Sequence, residues 1–279
     1  MKARPSSRGV NSELPIGIFD SGVGGLTVVR AIRRELPHED IVYLGDTARV
    51  PYGTKSPSTV VRFSCEDTQF LMHQRVKAVI VGCSTVSAWA LPTLEKKFHV
   101  PIFGVIEPGV RAALAQTKNQ RIGIIATNAT VRSMAYSRAI IAGCKTAKVW
   151  VRACPLLVPL VEEGWISHRV TKIILREYLA PLRKHGIDTL ILACTHFPLL
   201  KETIREVLHN HLALVDCADA CATSTRDQLA QLGLLTRQRR RSGRIQAFVT
   251  DETERFSKLA VQFLGEPIDS ALQVDLPPL

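Results

Sequence analysis

The sequence predicts an α/β protein of two pseudo-symmetric, doubly wound domains, whose parallel-rich sheets face each other across a cleft. Two apolar runs, residues 78–81 and 190–193, have the length of buried parallel strands, and each leads into a segment with helical character. Cys83 and Cys194 follow these runs. Ligands of open α/β sheets bind at the carboxyl ends of the strands. We therefore expect the two thiols to act together in one site.

The pattern of the chain restarts about 110 residues later, as in an internal duplication. Residues 121–127 echo residues 16–21, and the second cysteine follows the first at a similar interval. Two such halves, related by an approximate twofold, place one cysteine on each side of a cleft. The predicted organisation is a first domain of residues 15–104 plus 212–265, a second domain of residues 105–211, and flexible tails at 1–14 and 266–279.

Strands are predicted where short apolar runs end in turn or polar residues, and helices where apolar residues recur along one face. The helix after the first strand, for example, carries Val28, Val29 and Ile32 on one face. The elements that follow residue 211 lie outside the repeat, and we expect them to complete the sheet of the first half. The predicted strands are residues 16–19, 41–44, 78–82, 102–106, 121–127, 149–153, 190–193, 212–215 and 245–250. The main predicted helices are residues 26–36, 58–73, 85–97, 167–185, 221–232 and 252–264.

The composition is that of an ordinary globular protein. With 279 residues and 46% hydrophobic content, the chain can bury one large core or two modest ones. No run approaches the roughly 20 apolar residues of a membrane span, and the polar N-terminus does not resemble a secretory signal. Seven cysteines without a C-x-x-C pair indicate reduced thiols rather than a structural zinc site. We expect a cytoplasmic protein with no metal.

The formal net charge of +11 makes nucleic acid a partner to consider. No aromatic residues are interleaved with the densest basic cluster, as single-strand binding would favour. We expect this cluster to be a solvated loop, and nucleic-acid binding is not the expected main function. The cluster comprises Arg237, Arg239, Arg240, Arg241 and Arg244.

A glycine-rich turn, residues 20–25, follows the first strand. It lacks both the G-x-G-x-x-G spacing and the Walker lysine, so it does not predict a phosphate loop. Its glycines allow the backbone to approach a small ligand, and Asp20 and Ser21 add a carboxylate and a hydroxyl. The alternative is that Asp20 only caps the following helix.

Two thiols across a cleft suit disulfide exchange, metal binding, or proton transfer on both faces of one carbon. Redox pairs are usually close in sequence, and metal sites need more ligands than these strand ends offer. Proton transfer fits best, because helix N-termini lower the pKa of a thiol and let a thiolate and a thiol coexist. No lysine is recognisable as an anchor for pyridoxal phosphate, so we expect a reaction without a cofactor.

Five motifs in one order carry a resemblance to a known family. They are residues 20–26 (Asp-Ser-Gly-Val-Gly-Gly-Leu), Asp46 with Pro51-Tyr52-Gly53, Cys83-x-Thr85, Gly104-Val105-Ile106-Glu107-Pro108, and Cys194-Thr195-His196. Together they resemble glutamate racemase over about residues 16–264. The resemblance implies cofactor-independent interconversion of L- and D-glutamate, which supplies D-glutamate for bacterial peptidoglycan. It also implies two α/β domains with the active site between them.

The resemblance also assigns roles to residues. It implies that Cys83 is the base for D-glutamate and Cys194 the base for L-glutamate, and that Asp20 and His196 assist the two thiols. Glu162 matches a further acidic position near His196, although the adjacent Glu163 makes that match ambiguous by one residue. The implied substrate-binding residues are Asp20, Ser21, Tyr52, Gly53, Ser84, Thr85, Thr195 and His196.

Ser84 departs from the family pattern, which is Cys-Asn-Thr at the first cysteine. Asparagine offers a donor and an acceptor on a longer arm, whereas serine offers a hydroxyl close to the backbone. Two alternatives therefore stay open: a racemase of aspartate or another amino acid, and a basic nucleic-acid-binding protein on a racemase scaffold. The expected partners are the substrate and a second copy of the chain in a homodimer, with neither membrane nor nucleic acid.

Overall fold

The computed structural model describes residues 11–209, 212–238 and 240–276. Its strands form two sheets, and every pairing between neighbouring strands is parallel. The strands are β1 (Ile16–Asp20), β2 (Ile41–Gly45), β3 (Ala78–Val81), β4 (Ile102–Gly104), β5 (Arg121–Ala126), β6 (Lys148–Ala153), β7 (Thr189–Ala193), β8 (Ala213–Asp216), β9 (Ile245–Val249) and β10 (Ala271–Gln273).

The two sheets have the same strand order at their centres. The first sheet runs β10-β9-β2-β1-β3-β4 and the second β6-β5-β7-β8. The order β2-β1-β3-β4 of the first half therefore repeats as β6-β5-β7-β8 in the second. The predicted α/β class with two parallel sheets is confirmed, and the shared order agrees with an internal duplication.

The strand expected at residues 212–215 was assigned to the wrong sheet. It is β8, and it pairs with β7 in the second sheet, where Thr189 lies opposite Ala213. The reason is the repeat itself, because β8 occupies the edge position that β4 occupies in the first half. Of the late elements, β9 joins the first sheet as expected, and it pairs there with β2. We propose that the second domain ends after Asp216 rather than at residue 211.

The tails also differ from the expectation. The segment 266–279 is not simply a flexible tail, because β10 within it pairs with β9 and widens the first sheet. At the other end, residues 1–10 lie outside the described part of the chain. Ser12 accepts a hydrogen bond on its carbonyl from the Lys77 ammonium at 2.6 Å, and Glu13 accepts one from Thr236 at 2.8 Å. Residues 12 and 13 are therefore held against the first domain.

Helices cover both faces of each sheet. The predicted helix 85–97 is two helices, because Pro92 cannot donate a backbone hydrogen bond and a new helix begins just before it. The helices are α1 (Leu26–Glu35), α2 (Pro57–His73), α3 (Ser84–Trp89), α4 (Leu91–Lys97), α5 (Ile106–Gln116), α6 (Asn128–Ser133), α7 (Ala135–Gly143), α8 (Leu157–Glu162), α9 (Arg169–Lys184), α10 (Lys201–Leu208), α11 (Cys217–Leu232) and α12 (Thr253–Leu264).

The strands β1, β2 and β3 at the centre of the first sheet are buried on both faces, as their continuous apolar runs predict. Ile16 and Ile18 of β1 belong to a core that is shared with the second sheet. Phe19 points to the opposite face and packs in a separate core under α2, α3 and α4. The shared core fixes the two halves against each other, so their strand ends face one cleft.

Three further observations bear on the sequence-based expectations. No helix in the described part of the chain is both long and apolar enough to cross a membrane. All seven cysteines are free thiols. Within the described residues, no three or more His, Cys, Asp and Glu side chains are grouped as metal ligands. A cytoplasmic location stays a prediction.

Candidate active site

The carboxyl ends of β1, β3, β5 and β7 surround a cavity of about 140 Å³. A cavity of about 150 Å³ accommodates benzene, so the space suits a small organic molecule. The cavity brings together ten of the residues that the sequence singled out, from both halves of the chain. They are Ser21, Tyr52, Gly53, Cys83, Ser84, Thr85, Glu162, Cys194, Thr195 and His196.

The two cysteines occupy equivalent places in the two halves. Cys83 follows β3 and lies at the N-terminus of α3, and its thiol donates to the Ser21 hydroxyl at 3.7 Å. Cys194 follows β7, and its sulfur is 3.9 Å from Nδ1 of His196. Both are about 7% exposed and both line the cavity. A ligand in the cavity therefore has one thiol from each half of the chain.

The thiols are less acidic than the sequence suggested. Burial raises the pKa of Cys83 to about 12, and burial also raises the pKa of Cys194 above its ordinary value. Backbone N–H groups of Val86 and Thr85 at the start of α3 lower the pKa of Cys83, but burial outweighs them. The helix N-terminus thus favours the thiolate of Cys83, as expected, but its effect is smaller than that of burial, and the pKa of both thiols lies above its ordinary value.

His196 joins Cys194 to a carboxylate. Its Nε2 lies 2.9 Å from Glu162 Oε1, so Nε2–H donates to the carboxylate and Nδ1 is left to accept from the thiol. Burial raises the pKa of Glu162, but the hydrogen bond and charge of His196 and the charge of Arg255 together hold it below its ordinary value. Glu162, and not Glu163, is the acidic residue that reaches the imidazole.

Asp20 lies close to the cavity but is not among its lining residues. It is fully buried at the end of β1 and accepts a hydrogen bond from the Gly22 N–H at 3.2 Å. Its Oδ1 has no hydrogen-bond partner, and burial raises the pKa of the carboxyl. The carboxyl does not cap α1, whose N-cap residue is Gly25. The geometry therefore places Asp20 near the thiols without contact between its side chain and the cavity.

Three threonine hydroxyls lie together on one wall of the cavity. The sequence pointed to Thr85 but not to Thr127 or Thr130. Thr85 Oγ1 is 3.0 Å from both Thr127 Oγ1 and Thr130 Oγ1. Thr127 follows β5, the strand equivalent to β1, so it occupies the place of Ser21 in the second half. The internal repeat was the signal that could have identified it. With Asn128, which also lines the cavity, these side chains supply uncharged donors.

Ser84 lines the cavity and also contacts a buried row of polar side chains. Its hydroxyl is 3.2 Å from the Tyr136 hydroxyl, which is 3.3 Å from the sulfur of Cys217. Ser84 is only 4% exposed. A larger side chain at this position therefore has to displace Tyr136 or extend into the cavity.

The glycine-rich turn allows the two halves of the chain to pack closely against each other. A Cβ atom at Gly24 would lie 2.3 Å from Thr195 Oγ1 and 2.6 Å from the His196 ring. Thr27, three residues later, donates to the Thr195 carbonyl at 3.0 Å. Gly22 lines the cavity, but Gly24 is required by the approach of Thr195 and His196 rather than by a ligand.

The basic cluster lies at the other end of the first sheet. Arg237, Arg240 and Arg241 are exposed, as predicted, and Arg239 lies outside the described residues. Arg241 makes a bidentate ion pair with Asp40, at 2.7 and 2.6 Å, just before β2 begins. The cluster is thus partly neutralised and is remote from the carboxyl strand ends that form the cavity.

Two thiols at equivalent strand ends of a duplicated α/β fold line one cavity, an arrangement that suits an amino-acid racemase. Comparison with known proteins agrees: the family described as Asp/Glu/Hydantoin racemase matches residues 24–225, and the chain belongs to it.

The resemblance to glutamate racemase is confirmed within that family. A glutamate racemase of Geobacter metallireducens is 48% identical over 94% of this chain and 96% of its own length. A solved glutamate racemase isoform of Bacillus anthracis is 37% identical, with a TM-score of 0.92 over 96% of this chain and 100% of that one. The Francisella tularensis enzyme, solved with D-glutamate, is 36% identical, with a TM-score of 0.88 over 95% and 98% of the two chains.

Proposed function

We propose that this protein interconverts L- and D-glutamate, with Cys83 and Cys194 as the two bases and without a cofactor. One observation carries the proposal: two thiols from equivalent strand ends line one small cavity from opposite halves of the chain. Inversion of a stereocentre needs a proton acceptor on one face of the carbon and a donor on the other. The high identity to glutamate racemases supports glutamate as the substrate.

The cavity recognises carboxylates through neutral donors. Among its described lining residues, none is lysine or arginine. Hydroxyl groups and backbone N–H groups are therefore the donors for the two carboxylates of glutamate. Donors fixed around the α-carboxylate also stabilise the negative charge that grows there when the α-proton leaves. Since no lysine lines the cavity, an anchor for pyridoxal phosphate is not part of the proposal.

In the proposed reaction, the Cys194 thiolate removes the α-proton of L-glutamate and becomes a thiol. The electron pair of the broken C–H bond is held as a carbanion conjugated with the α-carboxylate. The Cys83 thiol then donates its proton to the opposite face, which yields D-glutamate and a Cys83 thiolate. Burial raises the pKa of both thiols, so the Cys194 proton needs an acceptor before the first of these steps, and Nδ1 of His196, 3.9 Å from the sulfur, is placed to take it. The positive α-ammonium group of the substrate favours the loss of that proton.

Exchange of the α-proton with solvent tests the activity directly. The purified protein, incubated with L- or D-glutamate in deuterium oxide, is expected to produce the opposite enantiomer with deuterium at Cα. The measurement combines NMR for the label with chiral chromatography for the enantiomers. Inversion that retains the original hydrogen would contradict proton exchange through the two thiols. The same incubation with L-aspartate distinguishes the alternative substrate.

A Ser84→Asn substitution tests the one departure from the family motif. We expect about a tenfold gain in kcat/KM for glutamate, since a hydrogen bond to a charged ligand contributes about 1.5–3 kcal/mol. The measurement is kcat/KM for glutamate and for aspartate in both proteins, with circular dichroism to check that the fold has absorbed the larger side chain. A loss of glutamate activity, together with aspartate turnover above glutamate turnover in the parent, would assign Ser84 to aspartate specificity.

The cellular role and the assembly extend the same proposal. D-glutamate made here would supply peptidoglycan synthesis, as the resemblance to glutamate racemases implies. Loss of the gene is then expected to make growth depend on added D-glutamate. The proposed assembly is a homodimer, which sedimentation of the purified protein distinguishes from a monomer.

A further inference from the structure

A buried cluster of carboxyl groups supports one wall of the cavity from behind. Residues 50–54 form that wall, and the Tyr52 side chain is only 1% exposed. Its hydroxyl contacts the carboxyls of Asp46 and Asp67, both fully buried. Arg49 is the cation of the cluster and contacts Asp46, Asp67 and Glu66. Three carboxyls thus share one guanidinium.

The hydrogen atoms in this cluster can be counted. The Tyr52 hydroxyl has a single hydrogen, yet its oxygen is within hydrogen-bond distance of two carboxyls, with 3.1 Å to Asp67 Oδ2. Burial, followed by the neighbouring Asp67 and Asp46, raises the pKa of Tyr52, so the hydroxyl keeps its hydrogen. The second contact is attractive only if one carboxyl carries a proton and donates it to the tyrosine oxygen.

The surroundings of the two carboxyls show which one holds that proton. The hydrogen-bond partners of the Asp46 carboxyl are all donors: Tyr52, Arg49 Nε at 2.7 Å and Thr250 Oγ1 at 2.9 Å. Asp67 Oδ1 accepts from Arg49 at 3.1 Å, whereas its Oδ2 contacts the Tyr52 hydroxyl alone. A proton on Asp67 Oδ2 therefore gives every contact a donor and an acceptor.

We propose that Asp67 is a positioning residue for the racemase site, which works as a neutral acid that donates to Tyr52 and so fixes residues 50–54 against the cleft. Tyr52 in turn donates to Asp46, and the chain of hydrogen bonds ties the cavity wall to α2. The wall also meets the second domain, because a Cβ at Gly53 would lie 2.9 Å from Thr127. Displacement of residues 50–54 would therefore disturb cavity walls that belong to both halves of the chain.

The electrostatics agree with this assignment. Burial, followed by the charge of Asp46, raises the pKa of Asp67 well above its ordinary value. The groups that face Asp67 are Asp46, Arg49, Tyr52 and, on its own helix, Glu66. The folded protein thus binds one more proton than the unfolded chain above the ordinary pKa of aspartate. Through this group, stability falls as pH rises from that value to the pKa in the folded state.

Asparagine reproduces the protonated acid and so gives a sharp test. In Asp67→Asn the amide oxygen can accept from Arg49 while the amide N–H donates to Tyr52. We expect Asp67→Asn to keep kcat/KM for glutamate within about threefold at neutral pH, and Asp67→Ala to raise KM about tenfold with a smaller change in kcat. The matched Asp46→Asn variant places an amide among three donors and is expected to raise KM about tenfold.

Two readouts do not depend on racemase activity, so failure of this proposal is separable from failure of the proposed function. The Tm of Asp67→Asn minus the Tm of the parent should increase as the pH is raised from about 5 to about 8. The reason is that the parent loses the proton of Asp67 over this range, whereas the variant has no proton to lose at this position. The infrared difference spectrum, parent minus Asp67→Asn, should contain the carbonyl band of one buried, protonated carboxylic acid. The difference is used because burial also raises the pKa of Asp20, whose band would be common to both proteins. A difference spectrum without that band, or Asp67→Asn impaired as much as Asp46→Asn, would overturn the proposal. If Asp67→Ala does not fold, the infrared band and the Tm difference decide the matter.

Discussion

Cys83→Ala and Cys194→Ala should each reduce racemisation of glutamate by at least about 10³-fold in both directions, within the range that proton-transfer groups contribute. Each variant lacks the donor or the acceptor on one face of the α-carbon, so inversion cannot be completed. The measurement is kcat for L- and D-glutamate by circular dichroism or chiral chromatography. The alanine leaves a small gap in a cavity wall, so a folded protein is expected in both cases.

A matched control is available for this pair. Cys154 is a fully buried thiol at the end of β6 that does not line the cavity. Cys154→Ala should lose some stability through lost packing and keep turnover close to that of the parent. If Cys154→Ala were as inactive as the other two variants, loss of packing would explain all three. Near-native turnover in Cys83→Ala or Cys194→Ala would rule out the two-thiol mechanism.

The second large effect is expected at the imidazole. His196→Asn removes the nitrogen that lies 3.9 Å from the Cys194 sulfur and should lower kcat/KM about 10²-fold. Glu162→Gln keeps an acceptor for Nε2–H but removes the negative charge, so a smaller loss of about tenfold is expected. Enantiomers have equal free energies in solution. Each variant must therefore lose kcat/KM by the same factor in both directions, although the separate kcat values can differ.

Glu163→Gln is the control for this second prediction. Glu163 is adjacent in sequence but does not line the cavity, and its replacement should leave kcat/KM unchanged. The comparison is made by measuring both directions of the reaction in all three variants. A loss in Glu163→Gln equal to that in Glu162→Gln would mean that the geometry of the His196–Glu162 pair does not matter for catalysis.

Local patterns were sufficient for the fold class and for the two thiols. The strand runs before Cys83 and Cys194 are apolar because both faces of a parallel strand are covered, and this property can be read without knowledge of the partner strands. The glycine-rich turn and the Cys-Thr-His motif directly follow such apolar runs, so their position at strand ends could also be predicted from the sequence. The repeat in the sequence likewise predicted two halves, because each half uses its strands in the same order.

The tertiary structure decided what depends on neighbours distant in sequence. An apolar run does not encode its pairing partner, so β8 was predicted in the wrong sheet. Burial is a property of the assembled cleft, and for this reason the raised pKa of both thiols was not foreseen. Asp67 lies within an ordinary helix pattern, and only the packing of α2 behind Tyr52 brings its carboxyl to the wall of the cavity. The sequence was thus enough to identify the two thiols and their motifs. Their electrostatic environments depend on contacts between elements that are far apart along the chain, and only the tertiary structure shows these contacts.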